Sequence, residues 1–250
     1  MSCANSDERA DAGTAENEPE FLEFFERYDA LMLEDPRAAV VWLDAAPASM
    51  RAESQWVLCK AEALYSADGA KVAADYLKEV LTEAPEFADA HHYLAGLEQD
   101  LGHTRQAIEH QLETLRLDSV VDLVAEPVSD EMTEAVVAEA ERTLAGLPDQ
   151  FKRRLVHVPV LLQPRPNISL VADGFDARAL GLFEGANLAE AECGNGEVGL
   201  TTITLFTQCL SDAFGHDEQE LLEQVRVTVL HEVGHYFCLD EDALAELELS

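Results

Sequence analysis

The hydrophobic pattern of this chain changes its period once. From residue 20 to about 120, apolar positions return every three or four residues, the spacing that gives a helix one buried stripe. "AEPVSD" (125–130) interrupts this as a hinge, and "SDEMTEAVVAEAERTLAGLP" resumes it. Ser129 or Asp130 offers the N-cap, Gly146 a stop, and Pro148 a barrier to continuation. The apolar runs then become short and are separated by turn residues. "LVHVPVLLQ" (155–163), "ISLVADG" (168–174), "ALGLFEG" (179–185) and "LTTITLF" (200–206) predict strands. Pro159 has no N–H to give a ladder, which sets the first of these at a sheet edge. A last helix, "DEQELLEQVRVTVLHEVGHYF", opens with Asp217 and Glu220 in a capping-box-like pair. Its expected buried stripe is Leu222, Val225, Val229, Val233 and Phe237. The fold class is therefore α+β, an all-α module followed by a small α+β domain.

The helical stretch repeats itself. Ala61, Ala73 and Leu81 return thirty-four residues later as Ala95, Ala107 and Leu115, with Gly69 and Gly102 at the turns between helices. A closing Pro85 in the first unit is matched by Ser119 in the second, and "FLEFFERYDALMLEDPRAAVVWLDAAP" is a more degenerate third unit. The stretch resembles tetratricopeptide repeats, in which small residues let two antiparallel helices pack closely. That resemblance implies a tetratricopeptide-like domain over 20–124 whose concave face takes a protein partner; an ordinary helical bundle is the other reading. Residues 1–19, polar and acidic without apolar periodicity, are expected to be a disordered tail. Residues 125–250 make the second domain.

Charge narrows the partners. Fifty Asp and Glu against sixteen Lys and Arg give a net charge of −34, which repels a nucleic-acid backbone and an anionic lipid surface alike. We expect no nucleic acid and no membrane among the partners. No apolar run approaches the ~20 residues of a membrane span, and the first residues lack the basic and apolar regions of a secretory signal. The five cysteines (Cys3, Cys59, Cys193, Cys209, Cys238) are an odd, scattered set, as expected of thiols in a cytoplasmic protein rather than of a disulfide framework.

The candidate chemistry sits in "HEVGH", residues 231–235. His231 and His235, four apart, share one helix face and can converge on a single ion. Glu232 stands where a metal-activated water needs a proton acceptor. The segment from about 130 to 250 resembles the minimal zincin-like metallopeptidases of bacteria. It does so through "GLFEG" (181–185), "ITLF" (203–206), "LLEQVRVTVLHEVGHYF" (221–237) and "LDEDAL" (239–244). The resemblance implies a zincin-like α+β domain, one zinc ion (Zn2+), and hydrolysis of a peptide or protein substrate. It also implies His231 and His235 as metal ligands and Glu232 as the catalytic carboxylate. The glycine usual three residues after the second histidine is Cys238 here.

A third ligand is expected from the acidic run after the helix. Counting His231 as position one, Glu241 is position eleven and is the expected ligand, with Asp240 and Asp242 as its competitors. Cys193 is a rival on the pattern of the deformylases, whose other motifs are missing. His91, His92, His103 and His110 belong to the helical stretch and His157 to a strand. His216 precedes the motif helix, where it is expected to be an exposed polar residue at the helix start, the alternative being a transition-state donor facing the cleft. Two functions follow. One is zinc-dependent peptide hydrolysis, with the repeats recruiting substrate or partner. The other is a repeat-based interaction protein whose zincin domain binds metal but is catalytically weak or inactive.

Overall fold

A computed structural model describes residues 18–51, 54–155, 158–185 and 202–237. The chain forms two compact units that meet in sequence between His110 and Gln111.

Among the described residues the first unit is all helical. It contains α1 (Glu18–Glu34), α2 (Pro36–Asp44), α3 (Ala48–Arg51), α4 (Ser54–Asp68), α5 (Ala70–Glu83), α6 (Ala88–Asp100) and the start of α7 (Thr104–Asp122). Gly69 and Gly102 turn the chain with φ of 92° and 74°, a region in which other residues are strained. The small residues singled out by their spacing, Ala61, Ala73, Ala95 and Ala107, are all buried. Helix α4 packs on α5, and α5 on α6. Glu98 is fully buried and holds Lys78 Nζ and His103 Nδ1, each at 2.6 Å. Burial alone would raise its carboxyl, but those two bonds bring it below the ordinary value.

The second unit adds α8 (Asp130–Gly146), α9 (Asp149–Leu155), β1 (Val160–Gln163), α10 (Ile168–Ala172), β2 (Gly181–Glu184), β3 (Thr202–Phe206), α11 (Thr207–Phe214) and α12 (Glu218–Phe237). Ser129 caps α8 by accepting the Met132 N–H at 3.1 Å, and the helix ends at Gly146 as its sequence requires. The strands lie in the order β1-β3-β2, with β1 parallel and β2 antiparallel to β3. Among the described residues the strand after Pro159 lies at the sheet edge, and the Pro159 carbonyl accepts the Ile203 N–H at 3.0 Å. Ile203 and Leu205 of β3 face α12, which also packs on Val136 and Ala140 of α8. Among the described residues, no helix is long and apolar enough to cross a membrane.

Three local expectations are corrected. Residues 168–172 form a short helix rather than a strand, because Asn167 caps it by accepting the Ser169 and Leu170 N–H groups at 3.0 and 3.1 Å. The first strand starts at Val160, since "DQFKRRL" makes a helix that runs through Leu155. The buried stripe of the last helix holds Leu221 in place of Leu222, with Thr228 and Tyr236 added and Phe237 only partly covered. Sheet and α8 cover that helix on two sides, so its buried arc is wider than one stripe.

Candidate active site

Helix α12 begins at Asp217, whose side chain accepts the N–H groups of Gln219 and Glu220 at 2.9 and 3.1 Å. Val225, Val229 and Val233, fully buried, fix its rotation against the sheet. That rotation brings His231 and His235 out of the core, one turn apart. Their Nε2 atoms stand 3.0 Å from each other and their rings cross at 89°. Two ligands of a tetrahedral ion with bonds of about 2.0–2.1 Å stand about 3.4 Å apart. The pair therefore fits a shared zinc ion after a small ring rotation.

Glu232 lies beside them but inward, only 6% exposed. Burial raises its carboxyl above the ordinary value, while the charge of His235 and the backbone N–H of Phe183 pull it down. The result is a carboxylate held in place and more basic than one in water. A cleft of about 650 Å³ opens on all three groups. Leu180, Leu182 and Phe183 line its strand side, and Gln224 and Val227 its helix side.

Gly181 and Phe183 carry the contact between strand and helix. A Cβ at Gly181 would come 2.6 Å from Thr228 Cγ2 and 3.2 Å from Glu232 Cγ. Thr228 is β-branched and buried, so it cannot turn away cheaply. Gly181→Ala is expected to push β2 off α12, costing about 1–3 kcal/mol of stability, as measured by denaturant unfolding. Unchanged stability would show that the strand has slack there. Neither part is spelled out by "GLFEG" itself. The available signal was a glycine opening a strand, a mark of close backbone approach.

Of the expected site residues, the structure brings together His231, Glu232 and His235. Glu241, Asp240, Asp242, Cys238, Cys193 and His157 lie outside the described residues. Among the described residues no third donor joins the two histidines. His216 has an exposed side chain 3.8 Å from Glu220 and is not part of the cleft lining. Cys209 is buried, and burial pushes its thiol up to about 11, which makes it a core residue rather than a nucleophile. His91 and His110 face one another across 2.9 Å within the helical unit.

Residues 155–250 match the family model of the zincin-like metallopeptidases. No curated protein matches the chain.

Proposed function

We propose that the zincin-like metallopeptidase domain carried by residues 155–250 is a working peptide hydrolase that uses one zinc ion. The observation that carries this reading is Glu232, a buried carboxylate fixed at the floor of a cleft between two converging histidines. A site that held metal only for structure would gain nothing from a carboxylate whose ionisation burial opposes. His231, His235 and Glu241 are the proposed ligands, with Asp240 and Asp242 as the competitors for the third place. Zinc held there supplies a Lewis acid and lowers the pKa of a water. Glu232 accepts the proton that the attacking water loses and passes it to the leaving amine.

The cleft also suggests how a substrate lies. Among the described residues β2 lies at the edge of the sheet, so an extended peptide can add along it and reach Glu232. Phe175, Leu180, Leu182, Phe183 and Val227 give the walls an apolar part, which suits a peptide with a large apolar residue beside the scissile bond. In the same reading the helical unit recruits the substrate or a protein partner.

The test is a metal and cleavage assay on purified protein. Wild type is expected to hold about one zinc per chain, as a three-ligand site with an open position does, and to cleave peptides until a chelator is added. His231→Ala and His235→Ala should each abolish zinc retention. Glu241→Ala should weaken it far more than Asp240→Ala or Asp242→Ala. Protein that retains no zinc and cleaves nothing overturns the proposal. Protein that retains zinc in the histidine-dependent way but cleaves nothing supports the interaction reading instead.

A further inference from the structure

The part of α7 that belongs to the second unit, Gln111–Asp122, lies outside the family-matched segment yet grips the strand side of the cleft. Gln111 Oε1 accepts the Ala177 N–H at 3.0 Å. Asp118 accepts two parallel bonds from the Arg178 guanidinium, from Nε at 2.7 Å and from Nη2 at 2.8 Å. Asp122 accepts the same kind of fork from Arg165, at 2.6 and 2.8 Å. Asp212 of α11 takes a further bond from Arg165 Nη2, and Asp118 lies 3.6 Å from Nη1. Leu112 and Leu115 close an apolar seam over Val171 and Ala177. The Arg165 side chain is only 7% exposed, so these bonds are shielded from competing water.

Arg178 and Ala177 sit in the segment that leads into β2. Phe175, Ala179 and Leu180 of that segment line the cleft. The next residue is Gly181, which lies against Thr228 and Glu232, and two further on is Phe183, which lines the cleft. We infer that Asp118 and Arg178 are positioning residues of the cleft. Acting through residues 175–183, they set the strand that aligns Glu232 and shapes the substrate-binding wall. A bidentate guanidinium–carboxylate pair suits this task because it fixes direction as well as distance. The consequence for catalysis rests on the peptidase reading above; the grip on the strand does not.

The test uses full-length protein in three variants. Arg178→Ala removes the fork, Arg178→Lys keeps the charge but loses the paired geometry, and Arg116→Ala removes a similar fork to Glu113 elsewhere on α7. Amide hydrogen exchange is followed at 175–184 and at 203–206. Arg178→Ala should speed exchange at 175–184 about tenfold or more while 203–206 stays protected, the mark of a local opening. Arg178→Lys should fall between it and wild type, and Arg116→Ala should match wild type. For a peptide that wild type cleaves, Arg178→Ala should raise KM about tenfold with the smaller effect on kcat, since it loosens the binding wall. Exchange that rises equally across both segments, or not at all, overturns the inference and leaves the clasp a plain stabilising contact. If wild type cleaves nothing, the peptidase reading has failed, and the exchange data still decide the positioning claim.

Discussion

Glu232→Gln should leave zinc bound and the fold intact while cutting hydrolysis by ~10²–10⁴, the usual cost of losing a general base. The amide has the size of the carboxylate and can still accept the Phe183 N–H, so geometry is kept and only proton acceptance is lost. The substitution has a second expected sign. A carboxyl raised in the folded state is penalised when ionised, so its cost appears as pH rises above the unfolded value and persists at neutral pH. A permanently neutral glutamine removes that cost, and the Tm of the metal-free variant at neutral pH should equal or exceed that of wild type. Kinetics on a cleaved peptide, zinc analysis and thermal unfolding check the three parts. A variant that hydrolyses as fast as wild type would remove Glu232 from the mechanism.

The second large effect concerns where the folding unit around the cleft begins. A fragment starting at Gln111 is expected to fold with cooperative unfolding, whereas one starting at residue 125 should be markedly less stable. The shorter fragment lacks Asp118 and Asp122 and uncovers Val171 and Ala177. Stripping one side from a buried ion pair costs about 3–5 kcal/mol, though Arg165 keeps Asp212 and Arg178 is partly exposed, so the lower end is expected. Against a total stability of about 5–15 kcal/mol, that loss is large. Denaturant unfolding of the two fragments measures it directly. Equal stabilities would place the start of the domain after α7 and confine the clasp to a surface contact.

Much of this molecule could be read locally. Ser129 and Asp217 start helices through bonds made within three residues, so their neighbours in sequence announce them. The alternation of apolar and turn residues gave β2 and β3 nearly to their ends, and Pro159 gave the edge. "ISLVADG" misled because an apolar run of that length suits a strand or a turn of helix equally. There the preceding Asn167 decided the matter. Leu221 and Leu222 were interchanged because periodicity gives a stripe and not the width of what covers it.

The sequence by itself determined the chemistry on offer: two histidines one helical turn apart with a glutamate between them, on a capped helix, in a strongly acidic chain. Helix geometry makes those choices local, since residues four apart must share a face whatever the rest of the fold does. Only the tertiary structure decided that Glu232 is buried, that Phe183 holds it, and that Gly181 must lack a side chain. It alone decided that Arg178 finds Asp118 sixty residues away. Those contacts join segments whose separation along the chain leaves no periodic trace. They exist because β2 packs on α12 while the end of α7 holds the segment that leads into it, and packing, not pattern, sets that position.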